Sequence, residues 1–207
     1  MILTLDNLRA GIRWRSGRTG WSGLYNEGYY DIYEKRANGL TREWWDVTVD
    51  RLAQWTAFRG RKRPNTKAAI RRSGRHVLNE ISEAYLCLKN GVEEPSISEL
   101  DWEDVEPVFD LVRSIKPKSF VFASKAGHFI LPKAFIIVDN LATQVFDYEF
   151  YWRGMKDEWM RFGQKEEGIK TLRESIRSNQ PVHSNFPFET RLMEVCHTGY
   201  KHRHDGE

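Results

Sequence analysis

The sequence predicts an all-α protein, a compact bundle of about seven helices preceded by an irregular N-terminal arm. Three observations support this fold class. Apolar residues recur every three or four positions over most of the chain after residue 40. The β-branched run at 136–138 has no second run with which to form a sheet, so we expect an extended loop there. Proline, glycine and asparagine follow the periodic segments at places where helices end.

Residues 1–40 are predicted to form the loop-rich arm. Residues 11–31 combine glycine, arginine and aromatic residues without a helical or a strand period. Arginine and aromatic side chains on an irregular backbone are typical of surfaces that hold nucleic acid, because the rings stack on bases. The candidates for stacking are Trp21, Tyr29 and Tyr30. The alternative is that these rings pack onto the helical domain.

Residues 41–200 are predicted to be one helical domain, followed by a disordered tail at 201–207. Thr41 and Thr66 are suitable caps for the first two helices, and Pro64 separates them. The predicted helices span about 41–59, 66–90, 98–116, 118–131, 140–162, 165–177 and 188–199.

The segment 59–75 contains eight lysines or arginines and no acidic residue. Such a run is unstable unless anions or carboxylates lie opposite, so we expect a nucleic acid partner, with DNA favoured. The alternative is internal neutralisation by the acidic segment 93–110. The predicted nucleic-acid-binding cations are Arg59, Arg61, Lys62, Arg63, Lys67, Arg71, Arg72 and Arg75.

Several classes of protein and of site are not expected from the sequence. No apolar run approaches the ~18 residues of a membrane helix, the first residues do not resemble a secretory signal, and we expect a cytoplasmic protein without a membrane partner. The two cysteines are far apart and lack CxxC spacing, so neither a disulfide framework nor a thiolate zinc site is expected. His197, His202 and His204 near Asp205 have metal-ligand spacing but fall at the tail, and we predict neither metal nor cofactor.

The most apolar part of the chain, residues 122–147, contains three ionisable residues, Lys125, His128 and Asp139. Such groups stay at the surface unless they have partners. A structural interpretation is available for each: the lysine extends to solvent, the histidine bonds to a backbone carbonyl, and the aspartate caps the helix predicted to begin at Asn140. A catalytic interpretation needs further support.

That support comes from a resemblance. The sequence "ASK" at the head of an apolar helix, a proline turn and then "IIVDN" resemble the second half of the helix-hairpin-helix DNA glycosylases. The resemblance implies that Lys125 is a nucleophile that forms a Schiff base and that Asp139 stabilises charge at the sugar or activates water. His128 follows Lys125 by one turn on the same helix face, so we expect it to assist as an acid or base. The family's glycine-rich hairpin is replaced here by "PKSFVFAS".

A second pattern, SK-x-x-HF-x-x-P-x-x-F-x-x-x-D, is similar to one in uncharacterised bacterial proteins. This similarity does not indicate any particular activity. It is formed by Ser124, Lys125, His128, Phe129, Pro132, Phe135 and Asp139.

Two other functions remain open. One is a helical interaction or accessory module of the phage or mobile-element type, with a protein partner or a homodimer. The other is a ribonuclease, since Arg177 to His183 and Arg71 to His76 fit the loose R-x(4–6)-H pattern of HEPN ribonucleases.

Overall fold

The computed structural model describes residues 1–17, 24–36, 39–58, 66–89, 93–139, 142–143, 145–176 and 180–204. This part of the chain forms nine helices and no strand, which confirms the all-α prediction. None of these helices combines the length and the apolar character that crossing a membrane requires. The helices are α1 (Leu5–Ser16), α2 (Leu24–Arg36), α3 (Arg42–Gln54), α4 (Lys67–Leu88), α5 (Trp102–Ile115), α6 (Phe120–Ile130), α7 (Tyr148–Arg161), α8 (Lys165–Ser175) and α9 (Phe188–His204).

The described residues form nine helices, whereas about seven were predicted. The two additional helices, α1 and α2, occupy most of the region predicted as a loop-rich arm. The side chain of Thr4 caps α1 by accepting a hydrogen bond from the Asn7 amide. The buried face of α1 includes Gly11 and Arg15. A glycine and an arginine at core positions hide the helical period of apolar residues.

The chain divides into two compact units, which are described separately below. The first unit contains residues 1–31 and 136–207, and therefore α1, the first part of α2, and α7 to α9. The second unit contains residues 32–135, with the end of α2 and helices α3 to α6.

In the first unit, α1 and α9 touch backbone to backbone. A Cβ atom on Gly11 would lie 2.0 Å from the Val195 carbonyl oxygen, and one on Gly199 would lie 1.8 Å from that of Asn7. Only glycine permits this approach, so the two helices are held side by side near the two ends of the chain. Because α8 also packs against both helices, α1 lies within a helical core.

In the second unit, α3 packs on α4, α4 on α5, α5 on α6, and α6 on α3. Two fully buried tryptophans of α3, Trp44 and Trp45, contribute much of the core. The Trp45 indole lies against α4 at Gly74, and its Nε1 donates to the Arg71 carbonyl at 3.1 Å. This contact fixes the rotation of α3 relative to α4, and therefore fixes which side chains of the two helices face one another.

The segment between α6 and α7 differs from the prediction. Residues 136–138 belong to no helix and form no strand pairing, as predicted for a loop. Asp139 does not cap a long helix; its backbone amide donates to Thr143 Oγ1 at 2.9 Å and its carbonyl accepts from the Thr143 amide at 2.8 Å, so it opens a short turn. The long helix begins at Tyr148 because Asp147 supplies the cap, accepting from the Phe150 amide.

The C-terminal helix is also longer than predicted. Helix α9 runs to His204, so residues 201–204 belong to a helix instead of a disordered tail. The guanidinium of Arg203 donates to Asn7 Oδ1 at 3.1 Å, which attaches this last turn to α1.

Candidate nucleic-acid interface

Three cations of the basic segment lie four residues apart along one side of α4, and all three pair with aspartates of α3. Lys67 Nζ lies 2.9 Å from Asp50 Oδ1, and Arg71 Nη2 lies 2.7 Å from Asp50 Oδ2. Arg75 pairs with Asp46, which also lies 3.9 Å from Arg71 Nε. The hydrogen bond from Lys67, assisted by the charge of Arg71, holds the pKa of Asp50 below its ordinary value. The result is a partly exposed ladder of ion pairs between α3 and α4.

Three carboxylates of the acidic segment 93–110 have partners elsewhere in the second unit. Glu94 pairs with Arg36, Glu99 accepts from the Ser96 amide, and Asp110 pairs with Arg113 on its own helix. The described cations of the basic segment therefore take carboxylates from α3, which neither sequence-based alternative included. Two carboxylates face three cations in this ladder.

Arg72 is the fourth described cation of the run and is exposed on α4. It makes no ion pair with any residue of the described part of the chain, and the first turn of α4 contains no acidic residue. The other residues predicted to contact nucleic acid lie outside the described residues. They are Trp21, Arg59, Arg61, Lys62 and Arg63.

The two described aromatic candidates have contacts within the first unit. Tyr29 is fully buried, and its ring meets that of Phe186 edge-on with centroids 4.9 Å apart. Tyr30 is partly exposed, donates from its hydroxyl to the Pro181 carbonyl at 2.9 Å and packs edge-on against His183. Of these two tyrosines, only Tyr30 is partly exposed to solvent.

Lys125 is 4% exposed in the second unit, and its Nζ donates to the Trp55 carbonyl at 2.7 Å. Trp55 is the C-cap of α3, so the ammonium lies at the negative end of that helix. His128 is 0% exposed, and its Nδ1 lies 2.7 Å from the Phe135 carbonyl oxygen. Lys125 thus connects α6 to the end of α3, and His128 connects α6 to the segment that directly follows it.

Asp139 belongs to the first unit, whereas Lys125 and His128 belong to the second. Asp139 is partly exposed, and its negative charge acts on the guanidinium of Arg15. A shared catalytic cleft of Asp139 and Lys125 stays a prediction.

A buried charge cluster in the first unit was not predicted. Glu194 of α9 accepts from Arg15 Nη2 at 2.7 Å through Oε1 and lies 2.6 Å from Arg191 Nη1 through Oε2. Arg15 also donates to Thr198 Oγ1 at 3.1 Å. Burial lowers the pKa of Arg15, and the charges of Glu194 and Asp139 oppose that shift. The only sequence signal is a polar stripe at positions 191, 194 and 198 of α9.

A second buried cluster was also missed, in the second unit. Arg36 pairs with Glu94, and its Nη1 donates to the carbonyls of Phe129 and Ile130 at the end of α6. The guanidinium lies over the rings of Tyr33 and Tyr85 at 4.9 and 5.5 Å from their centroids. Arg36 and Lys125 therefore have one feature in common: each is a buried cation at a helix C-terminus.

The remaining histidine motifs have structural contacts. The His202 ring stacks on Trp14 with centroids 4.3 Å apart, and His197 packs against Tyr151. In the residues that the structure describes, no group of three or more metal-ligating side chains occurs. His183 Nδ1 accepts from the Asn185 amide, while its motif partner Arg177 lies outside the described ranges.

Comparisons with known proteins supply no relative from which a role could be transferred to these residues. The glycosylase resemblance therefore depends on the residues quoted for it and stays a prediction. No protein-family model, curated protein or solved structure matches the chain.

Proposed function

We propose that the chain binds nucleic acid, with DNA favoured, through the surface around the start of α4. The observation that carries the proposal is the excess of cations there. In the described part of the run, Lys67, Arg71 and Arg75 share only two carboxylates, those of Asp46 and Asp50, and the exposed Arg72 makes no ion pair with a described residue. The sequence adds four more cations at 59–63, immediately before the helix. A row of phosphates supplies the missing negative charge.

The position of these charges on α4 supports the same conclusion. A helix N-terminus already carries a partial positive charge, and acidic residues usually compensate it. The first turn of α4 has none and begins instead with Lys67. This arrangement is electrostatically unfavourable in the free chain, and an anionic partner relieves it.

The contacts of Lys125 favour DNA recognition without a lysine nucleophile. An amine that attacks a sugar must be accessible, whereas this amine is buried and donates to the Trp55 carbonyl. We therefore expect borohydride to trap no covalent complex between the chain and DNA that contains an abasic site. Trapping that is lost in Lys125→Ala would instead support the lysine mechanism, and base loss that disappears only in Asp139→Asn would assign the chemistry to the aspartate.

Binding is measured by fluorescence anisotropy with duplex DNA, single-stranded DNA and RNA over a series of salt concentrations. We expect log K to fall steeply with log salt, by about 0.7–0.9 per phosphate contact. Arg72→Ala should weaken binding equally for all sequences and lower the slope by about 1. The matched control is Arg113→Ala, an exposed arginine of α5 outside the basic segment, which should leave both quantities unchanged.

A second pair of substitutions separates this function from that of an interaction module with internal neutralisation. Asp46→Asn together with Asp50→Asn removes the carboxylates that compete with phosphate for Lys67, Arg71 and Arg75. If this face meets nucleic acid, the double variant binds more tightly and with a steeper salt slope. If the double variant has unchanged affinity and lower stability, the proposal is contradicted and the interaction module is favoured. A flat salt slope for the unmodified protein would lead to the same conclusion.

A further inference from the structure

The outward face of α7 carries an apolar patch that the proposed function does not use. Phe146, just before the helix cap, is 89% exposed, Phe150 is 79% exposed, and Met160 near the other end is 54% exposed. The opposite face of the same helix is buried in the first unit through Tyr148, Tyr151, Trp152, Met155 and Trp159. The outward face of α7 therefore carries large apolar side chains near both ends that no described residue covers.

Charged residues on the outward face alternate in sign at intervals of four. In chain order they are Glu149, Arg153, Asp157 and Arg161. The first two form an ion pair of 2.9 Å, and the last two one of 3.8 Å. Between them Gly154 has no heavy atom within 4 Å of the position that a Cβ would take, so the middle of this face is low and open.

This face is symmetric about position 155. Glu149 and Arg161 are equally far from it, and so are Arg153 and Asp157, with opposite charges in each case. When a second α7 is laid antiparallel and the two helices are centred at the level of position 155 along their axes, each of these four charges lies level with an opposite charge of the other copy. The same operation places Phe150 opposite Met160. Self-complementarity of this kind is what a two-fold interface between identical chains requires.

From these observations we infer that α7 pairs antiparallel with α7 of a second copy of this chain. The two phenylalanine rings offer roughly 300 Å² of exposed surface per copy, since an aromatic side chain presents about 150–250 Å². With the flanking charged side chains, the total falls near the lower limit of about 1,200 Å² for specific interfaces. The dimer should therefore be weak and reversible, with a dissociation constant on the order of micromolar to tens of micromolar.

Sedimentation equilibrium over a hundredfold range of concentration tests the pairing, and its result does not depend on whether nucleic acid binds. The unmodified chain should shift from monomer to dimer as concentration rises. Phe150→Ser should raise the dissociation constant about tenfold or more while the circular dichroism spectrum stays unchanged, because the side chain is exposed. A chain that stays monomeric throughout would overturn the inference.

Two charge reversals test the symmetry itself. Arg153→Glu places like charges opposite each other across the two-fold axis, and so does Asp157→Arg, so each variant alone should associate less than the unmodified chain. Mixed together, the two variants place opposite charges face to face and should form a heterodimer. The control is Lys170→Glu, an exposed reversal on α8, which should leave dimerisation unchanged. A mixture that associates no better than its separate components would refute the antiparallel register.

Discussion

Replacing Gly74 by alanine tests the packing of α3 on α4. A Cβ atom at this position would lie 2.1 Å from Trp45 Cε2 and Cζ2, far inside van der Waals contact. The indole cannot simply move away, because it is fully buried and its Nε1 donates to the Arg71 carbonyl. The substitution must displace either the ring or the helix.

Two effects of opposite sign decide the outcome. Alanine favours the helix over glycine by about 1 kcal/mol. Against this, overpacking in a closed core costs about 1–3 kcal/mol, and loss of the indole hydrogen bond costs about 1 kcal/mol more. We therefore expect Gly74→Ala to lower the free energy of unfolding by about 1–3 kcal/mol.

Urea denaturation followed by tryptophan fluorescence measures this change, with Gly154→Ala as the control. Gly154 is also a helix glycine, but the space at its Cβ position is open, so alanine there should raise stability by about 0.5–1 kcal/mol in dilute solution. In a Trp45→Leu background the penalty of Gly74→Ala should largely disappear, because the overlapping ring is gone. If Gly74→Ala is as stabilising as Gly154→Ala, the close contact between Trp45 and α4 is incorrect.

Two further predictions concern the first unit. Glu194→Gln leaves the buried guanidiniums of Arg15 and Arg191 without their shared carboxylate and should lower the free energy of unfolding by about 3–5 kcal/mol, measured by urea denaturation; a loss below about 1 kcal/mol would contradict this role. Burial lowers the pKa of His197 to about 4. Since the unfolded chain takes up the proton first as pH falls, stability should decline between about pH 6.5 and pH 4, by about 2–3 kcal/mol in total. His197→Gln should remove that part of the decline, and an identical pH profile in the variant would disprove the assignment.

Much of the helical architecture could be predicted from local signals. Helices α3 to α6, α8 and α9 lie close to their predicted positions, because each combines an apolar period with recognisable end residues such as Thr41 and Thr66. The two helices that were missed contain polar residues at core positions. Arg15 and Arg36 are buried on α1 and α2, and a pattern of apolar residues cannot include them.

The environment of the predicted site residues depends on contacts that a single sequence does not encode locally. The bond of His128 to a backbone carbonyl matches the structural interpretation of its sequence context, whereas Lys125 is buried and does not extend to solvent. Its partner could not be foreseen, since the Trp55 carbonyl is 70 positions away from Lys125. The same holds for Arg15 and Glu194, which are 179 positions apart. The aspartates of α3 could have been proposed as partners of the basic segment from their four-residue spacing, which matches that of the cations.

The backbone contact between α1 and α9 has a consequence for how the chain matures during protein synthesis. The ion pair between Arg15 and Glu194 cannot form until Glu194, 179 positions later, has been synthesised. At about 5–20 residues per second, synthesis of that stretch takes on the order of ten seconds or more. During that interval α9 is not yet present to cover the Arg15 guanidinium and the apolar face of α1. Residues 32–135, in contrast, have all emerged from the ribosome long before α9. We therefore expect ribosome-bound intermediates to contain a protease-resistant central segment and an N-terminal helix that chaperones recognise.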